Sequence, residues 1–160
     1  MERKKIRFLV QASFIAAIYV VLTYISAMFG LSSGVIQVRF SEMLCVLPIF
    51  TPSAVPGLFV GCLLSNILSG CVLWDVIFGS LATLIGAVFT RILRKHKLLA
   101  PIPPIISNTL IVPFVLRYAY GAVGSIPYFM LTVGLGEIIS CGVLGIILMK
   151  ALEKNKNIFN

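Results

Sequence analysis

Apolar residues fall along this chain in six stretches, parted by short clusters of Gly, Pro, Ser and charge. The first, 8–29, is 22 residues without a charge, enough to cross a hydrocarbon core of about 30 Å. A Gly- and Ser-rich loop over 30–38 separates it from a short apolar helix at 40–50. The turn Thr51-Pro52-Ser53-Ala54-Val55-Pro56-Gly57 leads into a third helix, 53–70, which Ser69-Gly70-Cys71 ends. A fourth runs over 74–95, with Asp75 in its first turn, where a carboxylate suits the helix dipole. Pro101 and Pro103-Pro104 open a fifth, 101–117, and Pro113 inside it leaves the Thr109 carbonyl without its usual partner. The sixth is 126–150, with Pro127 in its first turn, followed by a polar tail. The pattern predicts an all-α membrane protein, one six-helix transmembrane domain over 1–160.

Composition strengthens that reading. Apolar residues make up 59% of the 160 positions and charged ones 11%, against about 25% charged in an ordinary soluble domain. The mean hydropathy is +1.08, so lipid is the expected solvent for most side chains. The net charge of +8 would suit nucleic acid only on a basic face with interleaved aromatics. Here the cations sit at the chain ends and in one loop. With six spans, Arg3, Lys4, Lys5, Arg7, Arg91, Arg94, Lys95, Lys97, Lys150, Lys154 and Lys156 fall on one side, and Arg39 and Arg117 on the other. The positive-inside rule then makes both termini cytoplasmic in a multi-pass plasma-membrane protein. Cys45, Cys62, Cys71 and Cys141 lie in apolar runs without CxxC spacing and read as packing residues. The first apolar run is too long for the core of a cleavable signal peptide.

Against this background a few polar residues stand out. An ionised group in hydrocarbon costs roughly 2.5–3.5 kcal/mol on insertion scales and needs a local reason. Glu42 and Asp75 come out near the outer boundary, with Arg39 beside them and Asn66 one turn below the outer end of the third helix. Asn108 and Glu137 fall near the midplane, Glu137 about 15 Å down. Two tiers of polar groups on different helices suit an enclosed polar ligand. The plainer readings are an Arg39–Glu42 ion pair and a helix-capping Asp75; Glu137 has no cation nearby in sequence and reads as functional. Phe40, Trp74, Tyr118, Tyr120 and Tyr128 make an interfacial aromatic belt, or Trp74 or Tyr128 stacks on a flat ligand. Gly57-x-x-x-Gly61, Ala82-x-x-x-Gly86 and Ala12-x-x-x-Ala16 allow close helix contacts. His96 belongs to a solvated basic loop. There is no GxxxxGK[ST] loop, HExxH pair or GxSxG elbow, so no catalytic residue, metal or cofactor is expected. Nor are the inverted repeats of many secondary transporters visible.

The stretches RFSEMLCVLPIFTPSAVPGLFVGCLLSN, WDVIFGSLATLIGA, ISNTLIVPF and VGLGEIISCGVLG resemble the queuosine-precursor transporter family, substrate-binding S-components of energy-coupling factor (ECF) transporters. The likeness runs from about Gln11 to Leu152. It implies a six-helix S-component in a bacterial plasma membrane that captures a 7-deazaguanine such as preQ0, preQ1 or queuine from outside. It also implies partners, namely a transmembrane coupling subunit and two cytoplasmic ATPases, which explain why no ATP loop is needed here. The AxxxA contact for the coupling subunit maps to Ala12 and Ala16. A 7-deazaguanine carries a ring N–H beside an amino group, which one carboxylate accepts together, and a carbonyl suited to an Asn amide. Glu137 and Asn108 are expected at the base edge, with Glu42, Asn66, Asp75, Arg39, Trp74 and Tyr128 completing the pocket. Two other classes remain open: a stand-alone proton-coupled transporter using Glu137, and an assembly subunit without ligand.

Overall fold

The computed structural model describes residues 2–32 and 36–154; Lys156 and the middle of the 30–38 loop lie outside them. The described residues are helical, without a strand. In order come α1 (Glu2–Met28), a 3₁₀ helix (Phe40–Ile49), α2 (Ala54–Leu68), α3 (Leu73–Ile92), α4 (Ile102–Tyr118) and α5 (Ile126–Glu137). α5 passes through a π-helical segment, Ile138–Leu144, into α6 (Gly145–Lys154).

Four helical runs are long and apolar enough to cross a membrane: Glu2–Met28, Leu73–Lys95, Lys97–Tyr118 and Ile126–Lys154. The expected spans at 40–50 and 53–70 become helices of 10 and 15 residues. At about 2.0 and 1.5 Å of rise per residue these reach only about 20 and 22 Å, so four of the six expected spans have full crossing length among the described residues. Glycines stop α1 and α2 in the same way. Gly30 and Gly70 take φ of 68° and 70°, a conformation a side chain disfavours. The N–H groups of Leu31 and Cys71 then reach back to the Ser26 and Asn66 carbonyls, both at 3.0 Å, closing Schellman caps.

The passes alternate in direction. At one end Gln11 of α1 accepts hydrogen bonds from Thr51 and Ser53. There Arg91 of α3 donates to the Pro48 and Ile49 carbonyls, capping the 3₁₀ helix, and Lys97 pairs with Glu153. At the opposite end the Ser26 hydroxyl accepts the Phe40 N–H, and Asn66 bonds the Asp75 carbonyl at 3.3 Å. The 3₁₀ helix occupies the middle, buried from Ser41 to Ile49 except at Met43, and packs on α1, α3, the π segment and α6. Large apolar side chains such as Phe14, Leu81, Leu110, Leu131 and Ile147 cover the outside, as expected of a bundle whose solvent is lipid.

Small residues set the helix spacing. A Cβ on Gly61 would stand 2.7 Å from the Tyr19 Cβ and 3.1 Å from the Ala16 Cα, and one on Gly57 would meet the Ala12 carbonyl at 2.8 Å. Gly86 admits Pro104 of α4 in the same manner. On the α1 side, Ala16 is packed against α2 of the same chain with 5% exposure, while Ala12, whose carbonyl faces Gly57, stays half-buried. Gly61→Ile should therefore lower the melting temperature in detergent, by an overpacking cost of about 1–3 kcal/mol. Gly70→Ala lacks any such neighbour and strains only a surface turn, so it should lower it less.

Candidate functional site

Polar side chains from six helical elements converge at the end of the bundle where Asn66 meets the first turn of α3. Glu42, on the 3₁₀ helix, is 2% exposed. It accepts the Tyr19 hydroxyl from α1 on Oε1 and the Cys45 thiol at 3.2 Å on Oε2. Asp75 accepts the Tyr120 hydroxyl on Oδ2 at 2.8 Å. Its Oδ1 faces Gly79, where a Cβ would lie 3.0 Å from that oxygen and 3.2 Å from Asn66 Nδ2, so the missing side chain keeps the space open. Asn108 of α4 donates to Glu137 Oε1 of α5 at 3.0 Å, while Glu137 Oε2 is buried with no partner. Each of the three carboxylates thus holds a neutral donor, not a cation.

Arg39 is the cation nearest to them. Its backbone N–H donates to Ser140 Oγ at 3.0 Å, and Gly136 gives the neighbouring Gln37 carbonyl a place that a Cβ would overlap. The guanidinium itself forms no hydrogen bond or ion pair among the described residues, so the Arg39–Glu42 pair that their spacing allowed is not made. The π segment starts directly after Glu137. Such bulges alter helix register and are frequent at functional sites. Here the extra residue carries Ser140 to the Arg39 backbone.

Two cavities meet at this cluster. The outer, of about 400 Å³, is lined by Thr23, Asn66, Cys71, Leu116 and Tyr120 among others. The inner, of about 40 Å³, is lined by Glu42, Cys62, Thr83, Asn108, Val133 and Glu137 among others. Gln37, Arg39, Asp75 and Val112 line both and form the collar between them. The outer volume lies within the range of ligand pockets, roughly 300–1,000 Å³. The inner one is about a tenth of that size.

Of the residues expected at the site, Arg39, Glu42, Asn66, Asp75, Asn108 and Glu137 line these cavities. Trp74 and Tyr128 do not. Trp74 stacks on Phe78 with ring centroids 5.8 Å apart and walls a separate apolar groove with Leu110, Phe114 and Tyr118. Tyr128 is 46% exposed, edge-on to Phe129. Tyr19, Gln37 and Thr83 were not foreseen, and Tyr120 was expected only in the aromatic belt. A phenol in mid-span was the available signal for Tyr19, because a buried Tyr hydroxyl seeks a partner. Tyr120 lies in the loop after α4, where burial and then the bond to Asp75 push its pKa above the ordinary tyrosine value, so it stays a donor. Among the described residues no cluster of His, Cys, Asp or Glu could hold a metal ion.

A family model described as QueT transporter matches residues 9–154. A curated relative, the "Queuosine precursor transporter QueT" of Lactococcus lactis subsp. cremoris (strain MG1363), is 38% identical over 86 residues. That alignment covers 53% of this chain and 50% of the relative, so the match spans about half the length of the curated protein. No solved structure matches.

Removing a donor should expose the cost of these buried acceptors. Tyr19→Phe is expected to destabilise the folded protein by about 1–3 kcal/mol, the desolvation penalty of an unpaired acceptor. Thermal melts in detergent, with Tyr24→Phe at an exposed position as the neutral control, measure it.

Proposed function

The chain belongs to the QueT transporter family, and on that premise we propose that it binds a 7-deazaguanine precursor of queuosine at the two-cavity site and serves as the S-component of an ECF importer. The name of the Lactococcus lactis relative supports the substrate class. The observation that carries the reading is Glu137, whose carboxylate has one oxygen bonded to Asn108 and the other buried without a partner. A ring N–H beside an exocyclic amino group would complete it, as charge-assisted hydrogen bonds. The body of a bicyclic ring fits the outer cavity of about 400 Å³ and not the inner one. The ligand therefore sits above the collar and passes only its donor edge towards Glu137 and Asn108, with Asp75, Asn66 and Glu42 around it.

Topology follows from the same premise. The described ends of the chain, α1 and α6, share one end of the bundle, where Gln11, Arg91, Lys97 and Glu153 meet. That end carries most of the cations, which makes it cytoplasmic and opens the outer cavity to the outside. The coupling subunit and two ATPases would supply the energy. Their contact is proposed along α1 at Ala12 and the residues flanking it, Ala16 being packed inward. The orphaned Glu137 oxygen also suits a proton carrier in a stand-alone transporter.

Glu137→Gln should weaken binding of a 7-deazaguanine at least tenfold, about 1.4 kcal/mol, with normal expression; unchanged affinity in calorimetry removes Glu137 from the site. Proteoliposomes holding this chain alone should show no uptake, and uptake driven by a proton gradient would favour the proton-coupled reading.

A further inference from the structure

We propose that Asp75 sets which precursor is taken: its carboxylate holds a cationic amine carried on the ligand's five-membered ring, so the site selects amine-bearing 7-deazaguanines over those with a neutral substituent. This rests on the binding role proposed above and adds the group that discriminates among its ligands.

Asp75 differs from the other two carboxylates in what it still offers and where. Glu42 is served on both oxygens, by Tyr19 and by Cys45. Glu137 has an oxygen without a partner, but it borders only the inner cavity, about a tenth the volume of the outer. Asp75 borders both. It is 7% exposed, and Tyr120 holds only its Oδ2. Its Oδ1 is turned to the gap beside Gly79, where a Cβ would stand 3.0 Å from that oxygen and 3.2 Å from Asn66 Nδ2. Among the described residues the carboxylate is in no ion pair.

The surroundings favour a cation at this oxygen. Asp75 lies in the first turn of α3, where the helix dipole stabilises its negative charge. Asn66 donates to its backbone carbonyl at 3.3 Å and fixes the residue at the junction of α2 and α3. The lining as a whole is acidic, with Glu42, Asp75 and Glu137 against Arg39 among its described residues. A neutral ligand leaves that excess as it stands. An ammonium reduces it, and in a low-dielectric interior the difference counts for more than in water. The hydrogen-bonding chemistry points the same way. An ammonium only donates, and it meets a carboxylate oxygen in a charge-assisted bond. A nitrile only accepts, and would face Oδ1 lone pair to lone pair. The 7-substituent is on the five-membered ring, and the ring N–H and amino group expected at Glu137 are on the six-membered one. One molecule thus offers a donor set at each ring, one for the inner cavity and one for the collar.

Specificity is a difference of affinities, so the test compares ligands that differ only in the arm. Calorimetry on the full chain in detergent should show 7-aminomethyl-7-deazaguanine binding about tenfold or more tightly than the 7-cyano and 7-hydroxymethyl forms. In Asp75→Asn the three should fall within about threefold of one another, chiefly through loss of affinity for the amine. Equal binding of all three by the unchanged protein overturns the proposal, as does a preference that survives in Asp75→Asn. Should that variant fail to fold, Gly79→Ala serves instead, because its methyl group intrudes on the place given to the ammonium. It should weaken the aminomethyl ligand by about fivefold or more and leave 7-deazaguanine, which has no arm, within about twofold; equal losses for the two are equally fatal. Binding of every form without preference sinks the role of Asp75 alone. Binding of none sinks the transport reading and this role with it.

Discussion

Carboxylates placed in a bundle whose solvent is lipid must each find compensation, and in this protein the compensation is neutral. Tyr19 serves Glu42, Tyr120 serves Asp75 and Asn108 serves Glu137. Each pairing joins two separate elements: α1 to the 3₁₀ helix, the loop after α4 to α3, and α4 to α5. The polar centre therefore clamps these elements together at that end of the bundle. A single donor leaves Asp75 and Glu137 a second carboxyl oxygen for a further partner.

Backbone geometry serves the same centre. The 3₁₀ helix packs at close range to α1, α3 and the π segment, which brings Glu42 inward. The π segment brings Ser140 against Arg39 while Glu137, just before it, faces the inner cavity. Glycines admit what would otherwise clash, Gly136 the Gln37 carbonyl and Gly79 the open space beside Asp75 and Asn66. Close packing and an open polar cavity come from the same device, a missing side chain. It is used in one place to let backbone approach and in another to leave room.

The division between the two cavities gives the site its direction. On the binding role proposed above, the larger space takes the body of a flat molecule and the far smaller one only its edge. Discrimination then falls on hydrogen-bond donors at that edge. A site that must pair a donor rejects analogues lacking it far more strongly than an apolar pocket rejects an extra methyl group.

Much of this was legible in the chain itself. Glu42, Asn66, Asp75, Asn108 and Glu137 announced themselves because a polar group in an apolar run is costly whatever the fold around it. The run lengths marked the helices for the same reason, since hydrocarbon thickness sets them. What the chain did not disclose was direction and pairing. Trp74 and Tyr128 have the composition of ligand-stacking residues and point elsewhere. Ala12 and Ala16 have the spacing of a docking seam, and Ala16 is packed against Gly61 of its own chain. Tyr19 hid in an apolar run because its ring counts as apolar and only its hydroxyl is polar. Solvation cost is a property of each residue and its near neighbours, so sequence determined where polarity had to be explained. Which donor meets which carboxylate depends on contacts between elements far apart in the chain, and those only the packed bundle decided.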